Sequence, residues 1–143
     1  MDKYQSLKLD NQLCFPLYAA SRELIKKYAP FLKKVDLTYT QYITLMALWE
    51  KDGLSVKELG EKLYLDSGTL TPLINGLKSK ELIEKKRDEK DERTVRVFLT
   101  EKGTLLKDDA LEIPQKIAGC IDITPKEAEF LYSVLHKIMG KKG

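Results

Sequence analysis

The chain places a cysteine at position 14 and tyrosines at 18, 28 and 39, with a second cysteine at 120. A thiol attacks peroxides and electrophiles as its thiolate, so groups that stabilise negative charge on sulfur make it reactive. Phenolic hydroxyls do this by donating hydrogen bonds, and the positive end of a helix dipole does it through its field. If Asp10 or Asn11 caps the first helix, Cys14 falls in its first turn, although the charge of Asp10 itself opposes a thiolate. The competing reading is a small inert hydrophobe in an apolar helix, the commoner fate of a lone cysteine. Cys14 and Cys120 lie too far apart in sequence for zinc spacing, and the one histidine, His136, is expected on an exposed helical position, so no metal site is expected. A phosphate-binding glycine loop and a paired serine and histidine are both missing, so neither a catalytic residue nor a cofactor is expected.

Helical periodicity puts Cys14, Tyr18, Ser21, Ile25 and Tyr28 on one face, yet Tyr28 lies fourteen residues beyond Cys14, or roughly 21 Å along a helix axis. A tyrosine side chain does not reach that far. Any bond between the Tyr28 hydroxyl and the Cys14 sulfur therefore has to come from a second copy of the chain. Pro16 leaves two possibilities for the helix around the thiol: a kink at Cys14, or a later start with Pro16 in the first turn.

The stretch from Leu54 to Gly103 reads as a winged helix-turn-helix. Thr38 with Gln41, and Ser55 with Glu58, match the capping box that starts a helix. After a turn near Leu65, Asp66 is expected to cap a third helix, whose Leu70, Leu73, Ile74 and Leu77 recur at helical spacing. Its other face and N-terminal end carry Ser67, Gly68, Thr69, Thr71 and Asn75, groups suited to a major groove. Leu82 to Arg87 and Thr94 to Leu99 read as strands, the second with Val95, Val97 and Leu99 alternating against Thr94, Arg96 and Phe98. The wing from Lys85 to Arg96 holds six Lys or Arg against four Asp or Glu. Charge alone marks only a solvated hairpin tip. Following a recognition helix, however, Lys86 and Arg87 become candidate contacts and Arg93 a minor-groove probe held by Asp91.

These residues carry a resemblance. Asp66-Ser67-Gly68-Thr69-Leu70-Thr71-Pro72-Leu73, then Asp91-Glu92-Arg93 and Leu99-Thr100-Glu101-Lys102-Gly103, resemble the multiple-antibiotic-resistance regulator (MarR) family of dimeric repressors. Leu9-Asp10-Asn11-Gln12-Leu13-Cys14-Phe15, with Tyr18, Tyr28 and Leu37-Thr38-Tyr39, is similar to the organic hydroperoxide resistance regulators within it. The similarity runs from about Leu7 to Pro114; Pro16 and Thr40 depart from the usual pattern. The resemblance implies a repressor that leaves a pseudo-palindromic operator when Cys14 is oxidised. It also implies that Tyr28 and Tyr39 of one subunit donate to the Cys14 sulfur of the other. Cys120 falls near where the two-cysteine branch keeps its resolving cysteine, and the alternative is a one-cysteine sensor capped by a small-molecule thiol. Other family members imply a different trigger, reversible binding of a small aromatic or lipid-like ligand.

At 143 residues and net charge +3 the chain is short enough for one domain, and its affinity for nucleic acid must come from local placement. Neither a membrane span nor a signal-peptide pattern is visible, so a cytosolic protein with reduced thiols is expected. Thr124-Pro125-Lys126-Glu127 starts a last helix whose Ala128, Leu131, Leu135, Ile138 and Met139 form a stripe. Together with Ile113, Ile117, Leu9, Leu13 and Leu17, that stripe suggests terminal helices covered by a partner copy. The expected architecture is mainly α with a small β wing. It has six helices, a DNA-binding part over about 38–100, and dimerisation helices over about 7–34 and 101–140 within a single 1–143 domain. Two rivals remain: a thiol peroxidase turning over at Cys14, and a winged helix serving as a protein adaptor.

Overall fold

The computed structural model describes residues 2–140. Two 3-10 turns, Gln5–Leu7 and Leu9–Asn11, lead into α1 (Cys14–Lys34), α2 (Tyr39–Glu50), α3 (Val56–Leu63) and α4 (Ser67–Ser79). Strands β1 (Ile83–Arg87) and β2 (Val95–Leu99) follow, then α5 (Glu101–Ala110), α6 (Ile113–Ala118) and α7 (Pro125–Ile138). Only Leu111 and Glu112 separate α5 from α6, so the six expected helices are present with the fifth broken in two. The chain forms two compact units, one ending at Ile113 and one beginning at Pro114.

The capping signals act where they were expected. Thr38, Ser55 and Thr124 each accept from the backbone of the residue three positions on, and Gln41, Glu58 and Glu127 reach back to complete a capping box. Asp66 caps α4 by accepting from the Thr69 amide at 2.8 Å. The start of α1 follows a different logic. Asp10 and Asn11 lie in a 3-10 turn rather than at a cap, and the Asn11 side-chain Nδ2 donates to the Gln5 carbonyl at 2.8 Å. Leu13 is the cap residue and offers no side-chain acceptor, so α1 begins at Cys14 with Pro16 in its first turn. A start at Asn11 would have put Pro16 where its ring meets the carbonyl four residues earlier; as third residue its missing N–H costs nothing.

α1 and α4 end alike. The amides of Asp36 and Leu37 donate to the carbonyls of Lys33 and Leu32, and those of Glu81 and Leu82 to Lys78 and Leu77. These are Schellman closures, with the left-handed position held by Asp36 (φ 53°) and Glu81 (φ 61°) instead of glycine.

The core of the first unit joins α2, α3, α4 and the hairpin. Leu45, Leu48, Leu59, Leu70, Ile74, Leu77, Ile83 and Val97 are fully buried, each contributing about 1.5–3 kcal/mol. β1 and β2 pair antiparallel from Ile83↔Leu99 to Arg87↔Val95. Leu54 and Ser55 add a further edge, the Val97 amide donating to the Leu54 carbonyl at 2.9 Å and Ser55 bridging to Arg96. Gly53 and Gly103 are close approaches. A Cβ on Gly53 (φ +76°) would lie 2.9 Å from the Phe98 ring, and one on Gly103 2.1 Å from the Leu82 carbonyl oxygen. The Gly103 carbonyl in turn accepts from the Trp49 indole at 2.9 Å, tying α5 to α2.

Candidate sensor and nucleic-acid interface

Cys14 is exposed as the first residue of α1. Tyr18, one turn along, is also exposed. Its hydroxyl accepts from Arg22 at 2.7 Å, and the guanidinium carbon lies 5.5 Å from the ring centroid. The other phenols form a separate group. Tyr28 meets Tyr39 edge-on with centroids 4.9 Å apart, and Tyr42 lies 5.9 Å from Tyr28 and 6.3 Å from Tyr39. Burial pushes the Tyr28 hydroxyl above the ordinary value of 10.0, with the neighbouring phenols adding to the effect. Burial raises Tyr39 and Tyr42 in the same way. All three are therefore O–H donors at neutral pH.

Tyr28 and Tyr39 are thus brought together, while Cys14 and Tyr18 are not part of their cluster. α1 runs unbroken between them, Pro30 included, so Cys14 and Tyr28 of one chain stay roughly 21 Å apart along its axis. Tyr42, only 3% exposed, was missed because an aromatic inside an apolar helix reads as core. Its one-turn spacing from Tyr39 was the available signal. Cys120 lies just past α6 in the second unit, exposed, its amide donating to the Ile117 carbonyl at 2.9 Å.

Ser67, Thr69, Thr71 and Asn75 are all exposed on α4. The Thr71 hydroxyl donates to the Ser67 carbonyl at 2.9 Å. Asn75 Oδ1 accepts from Lys85 of β1 at 3.2 Å, which adds Lys85 to the surface beside α4. The Asp66 carboxyl is held below its ordinary range by hydrogen bonds from Thr69. In the wing, Asp91 accepts from the Arg93 backbone at 3.1 Å and from its guanidinium at 3.3 Å, leaving that side chain 92% exposed. Arg87 donates to the Glu92 carbonyl at 2.7 Å. Lys86 lies over the Phe98 ring, 5.5 Å from its centroid. The base of the wing is fastened by Arg96, which donates to the Gly53 carbonyl at 3.0 Å and reaches Glu58 and Asp88, each at 3.4 Å. Periodicity gave Arg96 no special place, because its partners come from distant sequence.

Among the described residues no helix is long and apolar enough to cross a membrane, and no cluster of possible metal ligands occurs.

The family described as "Transcriptional regulator SarA/Rot" matches residues 26–110. An organic hydroperoxide resistance transcriptional regulator of Bacillus subtilis (strain 168) is 48% identical over 138 residues, covering 96% of this chain and 94% of that protein. Reduced AbfR bound to DNA superposes with a TM-score of 0.79 at 30% identity, covering 96% of each chain. The disulfide-formed AbfR superposes with a TM-score of 0.65 at 31% identity, again covering 96% of each. AbfR is a Staphylococcus epidermidis protein. The winged helix-turn-helix fold agrees with this relationship, and the chain belongs to the MarR family of transcriptional regulators, in the subgroup of the organic hydroperoxide resistance regulators.

Proposed function

We propose that this protein is a homodimeric repressor that binds a pseudo-palindromic operator and leaves it when an organic hydroperoxide oxidises Cys14. The single observation that carries the reading is the arrangement along α1. An exposed thiol stands at its first residue, and the Tyr28 phenol, out of that thiol's reach on the same chain, is gathered with those of Tyr39 and Tyr42. A partner whose α1 runs past in the opposite direction brings its Cys14 to those phenols. The thiolate then attacks the peroxide O–O bond: one oxygen joins sulfur as sulfenic acid, and the other leaves as an alkoxide that takes a proton from solvent or a phenol. The expected DNA contacts are Ser67, Thr69, Thr71 and Asn75 in the major groove, with Lys86, Arg87 and an Asp91-held Arg93 at the wing.

Exposed apolar side chains support the dimer. They include Phe15, Leu17 and Tyr18 on α1, and Phe130, Leu131 and Ile138 on α7 with Met139 just past its end. Both cysteines are exposed, and a relative is described in a disulfide form. We therefore favour Cys120 of one subunit as the thiol that condenses with the Cys14 sulfenic acid of the other, releasing water. Relatives being regulators supports a stoichiometric switch rather than a peroxidase, working in the cytosol beside the DNA.

Operator binding by wild type and Cys14→Ser, before and after a small dose of organic hydroperoxide, tests the reading. Wild type is expected to let go while Cys14→Ser holds on; equal behaviour contradicts it. A second reading has its own support, a cavity of about 460 Å³ lined by Ile25, Leu32, Lys33, Leu37 and Tyr39, within the size range of small-ligand sites. If Cys14→Ser releases DNA with a small aromatic or lipid-like ligand, that reading takes over.

A further inference from the structure

Four element ends meet at Lys80, which closes α4, reaches the end of α1 and the start of α2 with its side chain, and meets α5 through its backbone carbonyl. Lys80, the residue closing α4, is mostly buried, with 29% of its side chain exposed. Its ammonium donates to the backbone carbonyl of Asp36, the left-handed residue that closes α1. It also donates to Gln41 Oε1 at 2.8 Å, the oxygen that accepts from the Thr38 amide at 3.1 Å in the α2 capping box. The Lys80 carbonyl accepts from Lys102 of α5 at 3.0 Å, and the next carbonyl, of Glu81, accepts from the Thr100 hydroxyl at 2.6 Å. Beside this junction the Gln41 amide nitrogen is 3.0 Å from where a Gly76 Cβ would stand, so α4 and the start of α2 have no slack between them. Tyr39, of the phenol cluster, is the first residue of α2.

We propose that Lys80 is the positioning residue that couples the phenol cluster to the DNA-reading helix. A shift of Tyr39 moves the first turn of α2, and with it Gln41 and the α1 corner. Lys80 transmits that displacement to α4, whose polar face lies on the same rigid helix. Two charge-assisted hydrogen bonds from the ammonium, one to the residue that closes α1 and one to the cap of α2, hold the side chain in one geometry rather than many. The inference rests on the proposed role of α4 in DNA binding and names how that role is regulated. Coupling between two sites is reciprocal, so operator binding must also stiffen the α1–α2 corner.

The test uses Lys80→Met and Lys80→Arg in the full-length protein. The capping bonds to the backbone carbonyls of 80 and 81 do not involve the Lys80 side chain, so both variants are expected to fold. Hydrogen exchange is measured on reduced protein with and without an operator duplex from upstream of its own gene. In wild type the operator is expected to slow exchange at the amides of residues 36–42 on the order of tenfold. Reduced Lys80→Met should lose that protection while binding the operator within a few-fold of wild type, and Lys80→Arg should retain it. Equal protection in Lys80→Met, none in wild type, or loss of operator binding itself in Lys80→Met would overturn the proposal. Hydroperoxide release is measured in parallel. Equal release of wild type and Lys80→Met also contradicts the coupling. If wild type never releases but the exchange results hold, the coupling stands and the peroxide reading fails.

Discussion

In the proposed sensor, the chemistry at Cys14 depends on phenols that its own chain places out of its reach. Burial raises Tyr28, Tyr39 and Tyr42 further above neutral pH, so in the proposed mechanism they are the O–H donors to the sulfur anion or the leaving alkoxide. A hydrogen bond to a charged group contributes about 1.5–3 kcal/mol, so Tyr28→Phe and Tyr39→Phe should each slow the reaction of Cys14 with hydroperoxide by roughly tenfold or more. Stopped-flow rates check this, and unchanged rates remove the phenols from the mechanism. Because the folded-state values of the three phenols are raised, they contribute no loss of stability below pH 10.0, the ordinary tyrosine value. Cys14, Tyr28 and Tyr39 were legible as residues because their types imply a chemistry. Tyr42 and Lys80 were not, since an aromatic in an apolar run reads as packing and a lysine after a helix reads as surface.

For the elements, the starts that carry a side-chain cap were legible, the uncapped start of α1 was not, and helix ends were not. A cap is a local code, so Thr38, Ser55, Asp66 and Thr124 announced themselves. α1 and α4 stop at Asp36 and Glu81, which carry no glycine to mark the left-handed turn. Two substitutions test this account by thermal unfolding. Glu81→Gly removes the steric cost of a side chain at positive φ and should stabilise by about 0.5–1 kcal/mol. Gly103→Ala forces a methyl against the Leu82 carbonyl and should destabilise by about 1–3 kcal/mol. Acid should act through the caps. Glu58 and Asp66 are held below their ordinary values of 4.5 and 3.8, mainly by hydrogen bonds with Ser55 and Thr69. A depressed folded-state value means stability that is present above the unfolded value and lost as pH falls through the folded one. The unfolding temperature should therefore drop as pH falls below the carboxylate range. Asp66→Asn, which still caps, should soften that drop; an identical acid profile would show that the Asp66 charge is irrelevant.

For the whole molecule, the winged helix-turn-helix was readable because its periodicities switch from helical to alternating in one short stretch. The clamp at Arg96 and the junction at Lys80 were not readable, because their partners come from residues 36, 41, 53, 58, 88 and 102. The proposed sensor belongs to this scale as well, since it exists only when two chains meet.

A mixed dimer tests that claim most directly. One subunit carries Cys14→Ser with its tyrosines intact, and the other carries Tyr28→Phe and Tyr39→Phe with its cysteine intact. If the site is built from both chains, the one remaining Cys14 faces two intact phenols and reacts with organic hydroperoxide at the wild-type rate. If it reacts as slowly as the homodimer of the double tyrosine variant, the thiol is served by its own chain and the shared site is wrong.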